Sequence, residues 1–471
     1  MIEPIIGWER ETAVPDGHQF NDYLQVKNGR LYLHNLDLAE LMLGDRPSPL
    51  ELVYLPLIRD RIAKMKAIFA DVMAELDYGG DFLYAYASKA NVAEEVVRTA
   101  LQAGTHYEMS STVDIDIARS FKRRGVLADD KYVICNGFKP NGSVYAGNII
   151  RLREEHEKVL PVIEDLTEIG SFERSEHTFE VGLRQKSYGD NATTLEEMDN
   201  CNSRFGLNSD GLWQAAESIA AAPNLTLTLY HAMVGSQITD DDVFMNRIAP
   251  GIEFYGRLRQ QYPTLHIFDF GGGMPVPMTL NFDFDYRAFV RRLLSKIQAV
   301  CAKYDIPEPD VMGEFGRYTV TEHGAHFFKV VTAKDNGSPL PWYLIDGSIM
   351  TAFPDSWALS EHFIVLPLNH LDKPFQQVNL GGITCDSDDV YPPKPSKSPL
   401  FLPVDTDELY IGFFAIGAYQ EMLGGVGGSK HCVLPEANEL VVDDNPSGDG
   451  YTFRTIAGQT HTDVLSNLGY H

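Results

Sequence analysis

The chain runs to 471 residues and carries 66 acidic against 39 basic side chains, a formal net charge of −27. Charge of that sign repels nucleic acid and anionic lipid, excludes both as main partners, and favours cationic small molecules. The length exceeds one average domain and suits two, or a barrel with an appendage.

Five cysteines, at positions 135, 201, 301, 385 and 432, show no CxxC spacing. A disulfide framework or zinc site is therefore not expected, and a reducing, cytoplasmic compartment is. The first twenty residues hold no basic start followed by an apolar run, and no window approaches roughly 18 uninterrupted apolar residues, so neither a signal peptide nor a membrane span is expected.

In chain order, YLQVKNGRLYLHNLDL (23–38) reads as strands joined by an Asn-Gly turn. Residues 1–48 are expected to pack with a β domain at the other end of the chain. Eight β-type runs then fall within 49–325: FLYAYAS (82–88), HYEMSS (106–111), KYVICNG (131–137), VLPVIED (159–165), TFEVGLR (178–184), LTLTLYHAMV (225–234), LHIFDFGGG (265–273) and DVMGEFGR (310–317). Helix-like stretches separate several of them, among them 92–104, 113–125 and 285–304. Strand alternating with helix predicts a parallel sheet with right-handed crossovers, and eight units match a (β/α)8 barrel. A doubly wound open sheet is the competing architecture. The polar, acidic segment 187–203 is expected to form a mobile loop over the barrel mouth. Past residue 325 helical periodicity fades, and runs such as FFKVVTA, PWYLID, FIVLPL and LYIGFFAIGAY predict an all-β domain over 326–471.

Polar residues gather at the ends of the β-type runs: Ser88-Lys89, Ser110-Ser111, Asn136, Arg184, Ser236, Gly271 to Gly273, and Glu314 to Arg317. Barrel active sites are built at that end. A lysine at a strand terminus is usually only solvated; partly withdrawn from water, Lys89 becomes nucleophilic toward an aldehyde and forms a Schiff base. Gly271, Gly272 and Gly273 let backbone N–H groups approach a phosphate, with the Ser236 hydroxyl as a further donor, although glycine runs are also common turns. Glu314 beside a pyridine nitrogen would keep that nitrogen protonated, and the Arg317 fork suits phosphate; a plain surface Glu–Arg pair is the alternative. In ITCDSDDVY (383–391), Cys385 stands among Asp386, Asp388 and Asp389. Unpaired carboxylates avoid cores, and their company suits a proton donor better than a nucleophile. The acidic run lacks the spacing of a calcium loop, and no metal is expected. GAYQEMLGG (417–425) sets Tyr419 at the end of an apolar run.

Taken in this order, these residues resemble the fold-type III pyridoxal 5'-phosphate (PLP) decarboxylases that act on ornithine, diaminopimelate and arginine. The likeness runs from about residue 25 to 440. It implies an alanine-racemase-like barrel with a C-terminal β domain, with Lys89 of SKAN as the PLP lysine. Ser236, Gly271, Gly272, Gly273, Gly316, Arg317 and Tyr419 would then bind the cofactor's phosphate, and Glu314 its ring nitrogen. Cys385 would protonate Cα across a homodimer interface, and Asp386 would grip the substrate's distal cation. VICNGFK, SRFGL, VGSQI, FPDSWALSEHFIVLPL, ITCDSDD and GAYQEMLGG are most similar to the biosynthetic arginine decarboxylase branch, which adds Asp355 as a second substrate-facing carboxylate. The chain is shorter than that branch and lacks its inserted segments.

Two positions depart from the family pattern. Met233 stands where a histidine usually stacks on the PLP ring, with His231 two residues earlier; Phe315 stands where proline is usual.

The expected reaction is decarboxylation of a basic amino acid, arginine first, in polyamine biosynthesis. Ornithine, lysine or diaminopimelate is the alternative substrate. A non-decarboxylating or non-catalytic relative of the same fold is the alternative class.

Overall fold

The eight β-type runs form eight parallel strands closed into a barrel, numbered β1 (Phe82–Ala87), β2 (His106–Met109), β3 (Val133–Cys135), β4 (Val159–Ile163), β5 (Phe179–Arg184), β6 (Leu225–His231), β7 (Ile267–Asp269) and β8 (Asp310–Phe315). They pair in chain order, and β8 closes on β1 with Glu314 opposite Ala85. This is a computed structural model, and it describes the chain apart from residues 1–2, 45, 187–191, 394–397 and 471. Two compact units divide the chain: residues 59–275 with 284–319, and residues 1–58 with 276–283 and 320–471.

Period-2 alternation places the chemistry in the barrel unit. Ala85, Ile134, Leu160, Val162, Leu229, Ile267 and Met312 pack into one fully buried cluster. These strands come from all around the barrel, so the cluster is its interior. Successive side chains on a strand alternate between faces, so the residue two positions on shares the same face. Those residues are Asn136, Glu164, His231, Asp269 and Glu314, all buried. Strands β3, β4, β6, β7 and β8 thus carry an apolar floor and, one step toward their C-terminal ends, a polar rim.

Helices Glu94–Gln102 and Tyr286–Tyr304 fall inside two of the stretches expected to be helical, and Thr112–Arg123 starts one residue before the third. A reciprocal Ser111–Asp114 capping box starts the second of them. In the segment expected to be a mouth loop, 187–191 lies outside the described residues. Leu195–Asn200 is a helical turn, begun by a Thr194–Glu197 capping box that a count of polar residues passes over.

In the other unit the Asn-Gly turn joins Leu24–Lys27 to Arg30–Leu33, with Asn28 and Gly29 at φ 52° and 71°, the left-handed pair that a two-residue hairpin needs. Leu24, Val26, Leu31 and Leu33 share one core with Leu366, Leu368, Phe375 and Phe414. Strand Gly324–Lys334 is the spine, antiparallel to Leu50–Tyr54, Trp342–Ile345 and Tyr410–Phe414. Short helices interrupt the β texture at Ile349–Ala352, Pro354–Leu359, Gln420–Gly424 and His461–Asn467. Ser348 caps the first, Pro354 opens the second and Thr460 caps the last, which are local signals.

One buried ion pair braces the barrel after β3. Lys139 Nζ lies 3.2 Å from Glu168 Oε2, both side chains fully buried, and donates to the Val162 carbonyl at 2.6 Å. Glu168 also accepts the backbone N–H groups of Lys139 and Glu164. Removing one partner of such a pair strands the other charge. Lys139→Met is therefore expected to lose about 3–5 kcal/mol in urea unfolding, most of it recovered in the Lys139→Met/Glu168→Gln double variant. A loss below about 1 kcal/mol would mean that the pair behaves as a solvated one.

Candidate active site

The polar rim builds a cluster of carboxylates. Asn136, after β3, donates from Nδ2 to Glu314 Oε1 at 2.7 Å and to Glu108 Oε1 at 2.8 Å, so one amide bridges β2 and β8. Asp269, ending β7, accepts the Gly271 N–H at 2.7 Å. His231 Nε2 stands 3.6 Å from Glu314 Oε2, beyond hydrogen-bond range, and neither ring nitrogen has a hydrogen-bond partner. His231, Asp269 and Glu314 each bring a ligand atom to within 4.8 Å of one another, a set that could also hold a metal ion.

Electrostatics there follow from burial. Burial first, and the Glu108 carboxylate second, push the Glu314 carboxyl from 4.5 up to about 7, against the opposing pull of Lys89, Asn136 and Arg184. Asp269 is driven well above the carboxylate range by burial and by Glu314. Burial, helped by the charges of Arg184 and Lys89, holds His231 neutral, well below its usual value. The hydrogen bonds described for the three acids come from neutral donors or from one another, so Asp269 and Glu314 meet their burial by holding on to protons.

Lys89 lies in a 3-10 turn directly after β1, exposed between buried Ser88 and Ala90. Ser88 Oγ ties that turn to the Glu108 carbonyl at 3.1 Å. The Lys89 ammonium is near enough to act on both Glu314 and His231.

Beside the acids, two loops meet closely. A Cβ on Gly272 would sit 2.3 Å from the Glu314 carbonyl oxygen, and one on Gly273 would sit 2.0 Å from that of Gly235 and 3.3 Å from Ser236 Cα. Gly271 and Gly273 adopt φ 71° and 82°. Only glycine fits these positions, because the space a side chain would take is filled by the neighbouring backbone. Gly316 packs against the lysine turn: a Cβ there would meet Ala90 Cβ at 3.0 Å. Arg317 begins the next helical turn, half-buried.

The departures have physical reasons. A Cβ on Gly271 would meet Met233 Sδ at 2.6 Å and His231 Nε2 at 3.2 Å, so both side chains converge on the glycine turn. Phe315 packs among Tyr84, Phe270 and Tyr318, with ring centroids 4.7–5.9 Å away, an aromatic cluster that proline would not complete.

The remaining predicted residues lie in the β unit on three segments: Asp355 in the short helix Pro354–Leu359, Cys385 and Asp386 on a loop, and Tyr419 just before the helix Gln420–Gly424. Asp355 is buried and accepts Gln420 Nε2 at 2.9 Å, while its own N–H donates to Gln420 Oε1, which fastens it beside Tyr419. Tyr419 holds φ 69°, sparsely populated for a residue with a side chain. Cys385 is exposed and Asp386 partly so, on a loop pinned by buried Asp389, which accepts Ser348 Oγ, Met350 N, Thr384 N and Thr384 Oγ1. The barrel unit thus brings together Lys89, Ser236, the three glycines, Glu314 and Gly316, and the β unit pairs Cys385 with Asp386 and Asp355 with the Tyr419 segment. Sequence reasoning passed over Glu108, Asp269 and Glu164. Their signal was present: each follows a buried apolar or histidine position by two residues in a β run.

A family model for the pyridoxal-binding domain of pyridoxal-dependent decarboxylases matches residues 61–321. The biosynthetic arginine decarboxylase 1 of Synechocystis sp. is 23% identical over 92% of this chain and 80% of its own. That alignment takes 567 positions for a chain of 471, so the relative holds segments that this chain lacks. The Bacteroides thetaiotaomicron biosynthetic arginine decarboxylase is 22% identical over 92% of this chain and 85% of its own. Among solved structures, the biosynthetic arginine decarboxylase of Campylobacter jejuni superposes with TM-score 0.82 at 21% identity, covering 96% of this chain and 89% of that one. Diaminopimelate decarboxylase of M. jannaschii superposes with TM-score 0.78 at 19% identity, covering 95% and 98%.

The barrel's residues fit pyridoxal phosphate. A buried acid such as Glu314 suits a protonated ring nitrogen, a nearby lysine suits an aldehyde, and left-handed glycine turns suit a phosphate. By the match over more than half its length, and by these residues, the chain belongs to the pyridoxal-dependent decarboxylase family.

Proposed function

We propose that this protein decarboxylates a basic amino acid, L-arginine first among candidates, as an early step of polyamine synthesis. The observation that carries the reading is the lysine turn and carboxylate cluster sharing one barrel mouth. When bound, pyridoxal phosphate supplies an aldehyde for the substrate amine and a protonated ring that takes up the electron pair left at Cα as carbon dioxide departs. Lys89 Nζ anchors the aldehyde and is regained at the end of each turnover. Glu314, kept in place by Asn136, holds the proton on the ring nitrogen. The turn Gly271 to Gly273, through the N–H groups of Gly272 and Gly273, would bind the phosphate together with the Gly316 N–H, the Ser236 hydroxyl, Arg317 and Tyr419. The Cα–carboxylate bond breaks, CO₂ leaves, and the Cys385 S–H gives Cα its proton. Asp386 and Asp355 select the distal cation; a planar guanidinium suits two carboxylates.

In this reading Cys385 serves the site of a second copy of the chain. Exposed apolar side chains crowd the segments that carry Asp355, Cys385 and Tyr419: Trp357, Leu359, Ile383, Leu423 and Val426, from 48% to 64% exposed. Such patches mark interfaces. The five free cysteines favour the cytoplasm. No helix among the described residues is long and apolar enough to cross a membrane.

Two experiments test this. Glu314 is raised from 4.5 to about 7, so the stability it lends the cofactor-free fold is complete below pH 4.5 and lost as pH rises through 7. Cofactor-free Glu314→Gln is thus expected to exceed the parent in urea unfolding at pH 8 by on the order of 3 kcal/mol, the gap closing toward pH 4.5. Equal stabilities at both pH values would remove the acid-cluster argument. Second, CO₂ release should be measured from arginine, ornithine, lysine and diaminopimelate. Arginine is expected to react fastest. Lys89→Ala should lose activity and the absorbance near about 420 nm, and Cys385→Ala should lower kcat by roughly 10²–10⁴-fold. Mixed, the two inactive variants should regain about a quarter of parental activity through heterodimers with one intact site. Turnover of diaminopimelate alone would overturn the distal-site assignment.

A further inference from the structure

The Asp386 carboxylate is already engaged on both oxygens. Oδ1 accepts the Asp388 N–H at 2.9 Å, and Oδ2 stands 3.1 Å from His431 Nε2. A carboxylate only accepts, so the Nε2 proton is on the histidine and points at Asp386. The Asp386 N–H donates to Thr384 Oγ1 at 3.3 Å, and that hydroxyl donates to buried Asp389 at 2.6 Å, so the backbone beneath the carboxylate is tied to the core. His431 comes from a different loop, 45 residues on, and opens the turn His431–Val433. One residue on from His431 and one residue back from Asp386, the thiols of Cys432 and Cys385 are hydrogen-bonded to one another. Two successive contacts therefore lay the 431–432 segment along 385–386. Cys432 and Val433 both hold φ 57°, a conformation that non-glycine residues keep only when surroundings enforce it.

We infer that His431 is a positioning residue for substrate selection: by holding Asp386 through Nε2–H, it fixes the carboxylate plane so that each oxygen keeps one lone pair open toward a flat, two-pronged cation. The inference rests on the proposed reading in which Asp386 meets the substrate's distal group. A freely rotating carboxylate can meet a point-like ammonium through either oxygen at little cost. A guanidinium needs both oxygens at once in one plane, and loses more when that plane is released. The histidine therefore sharpens the choice between guanidino and amino substrates without touching the reacting carbon. His431 is 53% exposed and Asp386 25%, so a ligand can reach the pair.

The test compares KM and kcat of the PLP-loaded enzyme for arginine, ornithine and lysine in the parent, His431→Ala, His431→Gln and Asp386→Ala. In His431→Ala the arginine KM is expected to rise about tenfold, with kcat within twofold and the KM for ornithine or lysine changed much less. His431→Gln, which keeps an N–H donor, should restore most of the preference. Far-ultraviolet circular dichroism and cofactor absorbance check that each variant is folded and loaded. If Asp386→Ala weakens arginine while His431→Ala leaves the arginine-to-ornithine ratio unchanged, or shifts every substrate equally, the inference fails and the site reading stands. If Asp386→Ala alters no substrate, or no substrate of the three turns over, both fail together.

Discussion

Three carboxylates, Glu108, Asp269 and Glu314, stand where water does not reach, and the barrel mouth is organised around that constraint. Charge withdrawn from water is costly unless a partner shares the space. The protein supplies only part of the compensation: one amide between two of the acids, a backbone N–H to the third, and the longer-range influence of Lys89 and Arg184. A neutral histidine with bare ring nitrogens completes the ring of polar groups. The cluster is poorly satisfied alone and well matched to a flat cationic ring. Strain of this kind belongs at a functional site, because the stability given up in the empty fold returns when the ligand binds.

The β unit solves the opposite problem. Its functional candidates sit on short segments between strands, and the Asp355 and Cys385–Asp386 segments are fastened by buried polar contacts. Gln420 holds Asp355 with two reciprocal hydrogen bonds, and Asp389 gathers four donors beneath Cys385 and Asp386. Apolar side chains left in the open on the same segments match a surface that a second copy would cover.

Much of the barrel was legible because β-type runs alternating with helical periods admit few topologies, and all eight runs became strands. Lys89, Glu314 and the glycines stood out because they end strands, where barrel sites are built, and because together they match a family pattern; alone, each also reads as a solvated lysine, a surface pair or a turn. Glu108 and Asp269 were not singled out, since a single acid inside an apolar run reads as noise until the closed barrel puts it beside others. The His431–Asp386 contact joins positions 45 apart across a turn with two left-handed residues, which no local pattern announces. The helical turn at Leu195–Asn200 was hidden by acidity, although its capping box was written in the chain.

Asp389 anchors the Cys385 loop through Ser348, Met350 and Thr384, while the side chain at 386 holds the loop backbone only through the Asp388 N–H. Position 386 is then a cassette: its chemistry can be exchanged while the neighbouring thiol stays where it is. On the proposed reading, a fold built this way can change which amine it accepts in one evolutionary step while Cys385 keeps its place.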